Sequence, residues 1–410
     1  MDHFFRRKRL GLLKSLLSLS LVFVSFVMIQ KLKLAENVGD KQPNDADWCV
    51  PECFTFKKGI VAKPAPESSV STVRNRELDA QRSSNGTPTH WDAQVLNCSE
   101  DASVKTKDWF QRLDSRFHQF VLRRHCRYFP MLINHPEKCT DGDVHLLMVV
   151  KSVIEQHDRR EAVRKTWGKE QTINGRKIKT LFLLGKPSTG KDDKNLQKLV
   201  EFEDSLYGDI LQWDFMDTFF NLTLKEVNFL KWFHIYCPSV QFIFKGDDDV
   251  FVNTQNLLEL IDFKVDEDKV GDLFVGDTIA KATPIRNRQS KYYIPKELYD
   301  KPYPPYVGGG GFLMSSVVVR KLFMASEKQE LYPIDDVFLG MCLQKLAISP
   351  QMHPGFRTFG ITRRRVSTMN NEPCFYKSLI MVHKLSAPDL IKMWNVVQSK
   401  DLVCAQRSSI

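Results

Sequence analysis

The sequence predicts an α/β fold in which a mainly parallel sheet is covered by helices and carried behind an N-terminal transmembrane anchor. Three observations predict it. From Asp143 onward, short continuous apolar runs of strand length alternate with longer helix-forming segments, as expected of strands buried on both faces and joined by crossover helices. One of those runs ends in Asp247, Asp248 and Asp249, at the carboxyl end of a strand, where such sheets bind ligands. Near the N-terminus, Arg6–Arg9 precedes LGLLKSLLSLSLVFVSFVMIQ, an apolar stretch broken only by Lys14. It is long enough to cross a bilayer if that lysine snorkels.

Taken in order, residues 1–9 read as a cytosolic tail and 10–30 as a signal anchor, because the positive cluster lies before the span. No small-x-small cleavage site follows Ile29, so the anchor is expected to stay uncleaved. Everything beyond about residue 33 would then be lumenal. Residues 31–97 are polar and rich in Pro, Ser, Asn and Lys, and read as a flexible stem. Residues 98–142 read as a cap packed on the main domain, with aromatic and aliphatic residues at helical spacing between Trp109 and Pro136. The nine cysteines, at 49, 53, 98, 126, 139, 237, 342, 374 and 404, contain no CxxC pair, so disulfides in an oxidising compartment are favoured over a zinc knuckle. An odd number leaves at least one thiol free or intermolecular. Sequons at Asn85, Asn97 and Asn221 agree with a lumenal address. The net charge of +10 could indicate nucleic acid, but that address argues against it. Apart from the anchor flank and Arg363–Arg365, the basic residues are scattered. A solvated face and an acidic glycan partner are the two readings of that charge.

In the main domain, 143–404, strands are predicted over 144–152, 179–185, 209–215 and 240–249. Helices are predicted over 158–168, 194–208 and 221–237, and DDVFLGMCLQKL reads as the start of another. The aspartates need a reason. Like charges this close repel by about 4 kcal/mol at an effective dielectric of about 20, so a cation is expected among them. In an extended segment Asp247 and Asp249 point one way and Asp248 the other. Two carboxylates on one side suit Mg²⁺ or Mn²⁺ completed by phosphate oxygens, and an acidic turn is the rival reading.

Five blocks in order carry a resemblance. RREAVRKTWG, EDSLYGDILQWDFMDTFFNLTLK, KGDDDVFVN, YPPYVGGGGFLMS and IDDVFLG resemble the β-1,3-glycosyltransferases of glycosyltransferase family 31. The match runs from about Asp143 to His383. Within that family, HCRYFPMLINHPEKC and the double acid of IDDVFLGMCL resemble the β-1,3-N-acetylglucosaminyltransferases, in particular those associated with keratan sulfate and poly-N-acetyllactosamine. The four glycines Gly308–Gly311 followed by Phe312 depart slightly from the usual wording of the fourth block.

The resemblance implies a GT-A-like nucleotide-sugar fold in the Golgi lumen. It implies inverting transfer of N-acetylglucosamine from UDP-GlcNAc to the 3-hydroxyl of a terminal β-galactose, on an acceptor that can be sulfated. It places Mn²⁺, or Mg²⁺, on Asp249, Asp247 and His383, although a lone histidine after an apolar strand is otherwise an ordinary core residue. Asp336 becomes the base and Asp335 its neighbour, against the alternative of two acids favoured by a helix dipole. Lys151, Arg160, Arg164 and Asp248 become donor contacts, against ordinary helix-surface charge for the arginines. Tyr303, Tyr306 and Gly309, Gly310 and Gly311 form the loop facing the sugars, where glycines allow close backbone approach and aromatic rings suit a pyranose face. Trp167 is read as packing. The alternatives are a β-1,3-galactosyltransferase of the same family, an inactive glycan-binding or chaperone relative, and a Mg²⁺-dependent phosphohydrolase.

Overall fold

The computed structural model describes residues 90–93, 98–140, 142–187, 193–361 and 371–404. The chain divides into two units at Gln81 and Arg82, and all described residues fall in the second. The anchor, most of the stem, Asn85, Asn97 and Arg363–Arg365 lie outside them. Among the described residues no helix is long and apolar enough to cross a membrane.

Four strands, β2 (Val144–Lys151), β4 (Arg176–Lys186), β5 (Ile210–Met216) and β6 (Phe242–Asp247), lie in the order β5-β4-β2-β6 and pair in parallel. Their crossovers contain α4 (His157–Lys165), α5 (Asp193–Tyr207) and α6 (Leu222–Tyr236), counting the short helices Ala102–Lys105, Asp108–Arg112 and His118–Leu122 as α1 to α3. The strand centres are mostly apolar because both faces are covered, and buried exceptions such as Gln212 and Lys245 have partners in the Gly185 carbonyl and Glu226. Leu147 and Val149 belong to one core, and Leu146, Met148 and Val150 to the other, all fully buried. Each such side chain contributes about 1.5–3 kcal/mol by leaving water.

The sheet is mixed, not uniformly parallel. Beyond β6, strand β9 (Tyr306–Ser315) runs antiparallel to both β6 and β8 (Phe274–Ile279), and β10 (Gln351–Met352) closes that edge parallel to β8. At the other edge β1 (Met131–Ile133) pairs antiparallel with β5, and β3 (Gln171–Ile173) forms a hairpin with β4. The second half of the expected helical cap is therefore an edge strand. Its first half is helical, and Phe110, Leu113, Phe117, Val121 and Leu122 share one buried core with the sheet.

A second, three-stranded sheet lies in the order β11 (Phe356–Arg357), β12 (Met381–His383), β7 (Val250–Val252). Around it and behind β9 pack α7 (Thr254–Asp266), α8 (Ser316–Glu327), α9 (Asp335–Lys345), α10 (Pro373–Ser378) and α11 (Ala387–Gln398). Disulfides join Cys98 to Cys126, Cys139 to Cys237 and Cys374 to Cys404. Among the described residues Cys342, buried on α9, has a free thiol.

Candidate active site

Strands β2 and β6 end side by side, with Lys151 opposite Asp247 in register. The chain then turns through Asp248 and Asp249 into β7. Pairing of β7 with β12 sets His383 opposite Val250, and the Lys384 and Leu385 amides both donate to the Asp249 carbonyl, at 3.0 and 2.9 Å. A histidine remote in sequence is thereby brought against the aspartates. His383 Nε2 lies 3.0 Å from Asp249 Oδ1 and 3.5 Å from Asp247 Oδ2. One ligand atom from each of the three lies within 4.8 Å of the others. His383 Nδ1 sits 2.8 Å from the Thr358 carbonyl. That oxygen can only accept, so Nδ1 carries a proton and Nε2 is left to face the acids. Burial opposes charge on the ring, yet the bond to Asp249 and the charges of Asp249 and Asp247 outweigh it and raise its pKa. Two carboxylates and an imidazole converging on one point want a cation.

Lys151 links this corner to a second one. Its Nζ lies 3.1 Å from Asp247 Oδ1 and 2.8 Å from Asp335 Oδ2. Asp335 and Asp336 open α9. Burial would raise Asp335, but Lys151, bonded to it, holds it low. Asp336 has no such cation in contact: its Oδ1 accepts from the Val337 amide at 2.7 Å. Burial and the adjacent Asp335 charge push Asp336 up to about 7, the range in which a carboxylate can take a proton near neutral pH. Gly309 on β9 faces it; a Cβ there would lie 3.8 Å from Asp336 Oδ2 and 3.3 Å from Lys151 Nζ. At Gly310 a Cβ would come within 2.8 Å of His383 Nδ1, and at Gly311 within 2.9 Å of the Phe244 ring. The glycine run is thus what lets β9 pass beside the histidine and the two acids.

Residues 158–354 match the Galactosyltransferase family. The chain is 56% identical over 327 residues to the rat UDP-GlcNAc:betaGal beta-1,3-N-acetylglucosaminyltransferase 7, covering 79% of this chain and 81% of that protein. It is 37% identical to the human N-acetyllactosaminide beta-1,3-N-acetylglucosaminyltransferase 2, covering 97% of this chain and 99% of that protein. It is 48% identical to the human UDP-GlcNAc:betaGal beta-1,3-N-acetylglucosaminyltransferase 9, covering 68% and 74%. The chain belongs to the galactosyltransferase family, family 31 of the glycosyltransferases.

In this glycosyltransferase the residues expected at the donor separate into two groups. Lys151 is at the site, between two acids. Arg160 and Arg164 are not open to it. Arg160 is fully buried, with Nε and NH2 donating to Glu203 at 2.8 and 2.7 Å and NH1 to the Val153 carbonyl at 2.6 Å. Arg164 donates through Nε and NH2 to Asp209, both at 2.8 Å, and lies over the Tyr207 and Phe182 rings. Helical phase carries the correction: Arg160, Val163, Arg164 and Trp167 recur at i, i+3, i+4 and i+7, the inward stripe of α4 and the turn that follows it. Arg159, one residue off that stripe, is the arginine that reaches the aspartates. Its NH1 donates to Asp248 Oδ1 at 3.1 Å and lies 3.6 Å from Asp249 Oδ2. Ser152 Oγ donates to the other Asp248 oxygen at 2.7 Å. Both Asp248 oxygens are therefore held by protein donors, and Asp248 anchors the turn while its neighbours face the cleft.

The expected sugar loop also divides. Tyr303 is buried, with its hydroxyl 2.9 Å from that of Tyr332, and burial pushes its pKa up to about 12. Its ring is packing and not an open sugar face. Tyr306 is half-buried and packs on α9, where a Cβ at Gly340 would meet Tyr306 Cβ at 2.7 Å. Asn221 is half-buried, and its Nδ2 donates to the Met216 carbonyl at 2.8 Å.

Proposed function

We propose that this glycosyltransferase moves N-acetylglucosamine from UDP-GlcNAc to the 3-hydroxyl of a terminal β-galactose, forming a β-1,3 linkage with inversion. The activity is the one for which the relatives are named. The observation that carries the mechanism is the pairing of one carboxylate held up to about 7 with a separate acid and histidine corner, the two joined by Lys151. Inversion requires one base and no protein nucleophile. Asp336 accepts the proton of the acceptor 3-hydroxyl as that oxygen attacks the sugar's anomeric carbon and the bond to UDP breaks. Lys151 keeps Asp335 ionised beside it, and that negative charge maintains Asp336 as the more basic acid.

Asp247, Asp249 and His383 would hold Mn²⁺ or Mg²⁺. The convergent oxygen, oxygen and nitrogen set fits such an ion, with nitrogen favouring Mn²⁺, and the ion would supply charge neutralisation for the departing diphosphate. We further read the fold as GT-A-like. We read the acceptors as poly-N-acetyllactosamine or keratan-sulfate-type chains, and the location as the Golgi lumen behind a type II anchor at 10–30, as the anchor pattern and sequons support. The test offers the full-length protein UDP-GlcNAc or UDP-galactose with a galactose-terminated acceptor in manganese buffer. Transfer from UDP-galactose and none from UDP-GlcNAc would overturn the donor assignment.

A further inference from the structure

The segment from Lys281 to Tyr303, which leads into β9, closes on itself. The Tyr303 amide donates to the Ala282 carbonyl at 2.8 Å, the Ile294 amide to Ile285 at 3.0 Å, and the Arg286 guanidinium reaches the carbonyls of Ile294 and Tyr299. On this braced loop Tyr293 is buried against Phe117, which also packs on Phe220, while Tyr292 points outward and is 43% exposed. The Tyr292 ring meets half-buried Phe219, from the turn before α6, edge-on at 5.5 Å, and Phe219 meets Phe220 at 5.8 Å. Lys291 Nζ stands 4.8 Å from the Tyr292 centroid and 5.6 Å from that of Phe219. Single exposed apolar residues are common. Three adjoining rings, one of them on a hydrogen-bonded loop and two on the turn before α6, with a cation at their rim, form a built surface.

Hydrogen bonds and ring contacts tie this surface to the segment that opens α9. Tyr306 packs on Gly340, one helical turn after Asp336 and on the same face of α9. The Tyr306 ring meets that of Tyr303 edge-on at 6.2 Å, the Tyr303 and Tyr332 hydroxyls lie 2.9 Å apart, and Thr223, just after Phe219 and Phe220, donates to the Tyr332 carbonyl at 2.5 Å. The turn that carries Phe219, against which Tyr292 packs, is therefore tied to the segment that leads into Asp335 and Asp336. We infer that Tyr292 and Phe219, with Lys291 at their rim, form an outer acceptor subsite that takes a sugar ring beyond the galactose that accepts the transfer. The fit is chemical. A pyranose presents an apolar C–H face with its hydroxyls at the edge; the C–H face matches the negative face of an aromatic ring, and the ammonium can donate to the hydroxyls. A rigid, preformed platform limits the ordering cost of holding a flexible chain.

This inference rests on the proposed activity, so its test includes binding as well as turnover. Two acceptors are compared on the full-length protein: methyl β-galactoside, which ends at the accepting sugar, and a tetrasaccharide of two Gal-β1,4-GlcNAc units. In Tyr292→Ala the ratio of kcat/KM on the tetrasaccharide to that on the monosaccharide should fall about tenfold, through KM, while Tyr292→Phe keeps the ratio. Lys291→Ala should lower the ratio less, since it leaves the rings in place. Saturation-transfer NMR without donor should show the outer rings of the tetrasaccharide against the wild-type protein and lose them in Tyr292→Ala. An unchanged ratio, or an equal loss on both acceptors, overturns the subsite, as does the absence of tetrasaccharide contact in the wild type. Tetrasaccharide binding that depends on Tyr292, with no transfer from UDP-GlcNAc, would uphold the subsite and overturn the proposed activity.

Discussion

Asp336 and Asp335 are adjacent in the chain but differ in what surrounds them. Asp335 meets the Lys151 ammonium, whereas Asp336 meets amides and its neighbour's charge, and is pushed up to about 7. If Asp336 is the base, the enzyme is inactive while that carboxyl is protonated. Then kcat/KM should fall about tenfold per pH unit below about pH 7, measured over pH 5 to 8 at saturating metal. Asp336→Asn keeps the shape and removes the basicity, so turnover should drop by about 10²–10⁴ with UDP-GlcNAc affinity unchanged. Wild-type turnover by that variant would move the role elsewhere. The metal corner has its own test. Asp249→Ala should abolish both transfer and Mn²⁺ binding, followed by electron paramagnetic resonance of the free ion, and undiminished Mn²⁺ binding would reject the assignment.

The site depends on what strands and helices can and cannot carry. At Gly310 the β9 backbone lies so close to His383 that an added Cβ would sit 2.8 Å from Nδ1. Gly310→Ala should therefore displace the ring and weaken Mn²⁺ binding at least tenfold, with little change in melting temperature; unaltered binding would show that the ring has room to move. Helix α4 is tied inward by Arg160 and Glu203, both buried. Removing Arg160 leaves buried Glu203 with Arg164 at 2.7 Å as its main remaining cation, so Arg160→Met should destabilise the fold by about 3 kcal/mol in urea unfolding, and a loss confined to donor affinity would contradict a structural role. The pair also sets an acid limit. Burial opposes ionisation of Glu203, yet its bonds to Arg160 hold it down from an ordinary 4.5 to about 2. Stability from this carboxylate is thus complete above about pH 4.5 and is lost as pH falls toward 2. Glu203→Gln should flatten that part of the stability curve.

Across the whole molecule, the Cys139–Cys237 bridge ties the segment before β2 to the end of α6, across a sequence separation of 98. Closing so long a loop restricts the unfolded chain, so replacing both cysteines with alanine should cost about 4–5 kcal/mol, read as a lower urea midpoint, and an unshifted midpoint would deny it. The local elements were legible in advance. The runs at 144–152, 179–185, 209–215 and 240–249 became β2, β4, β5 and β6 within a few residues, because a strand buried on both faces has to be apolar at most positions. Also legible were the convergence of Asp247 with Asp249 and the helix opening at Asp335, since each depends on neighbours in the chain. Which arginine of Arg159 and Arg160 faces the aspartates could have been read from helical phase. Tertiary structure alone decided that β9 runs against its neighbours, that Tyr303 closes on Tyr332, that Tyr292 and Phe219 share a surface, and that Asp336 and not Asp335 is the carboxyl held near neutral pH. Those outcomes depend on groups remote in sequence meeting in a low-dielectric interior, where contact with one ammonium separates the behaviour of two identical side chains.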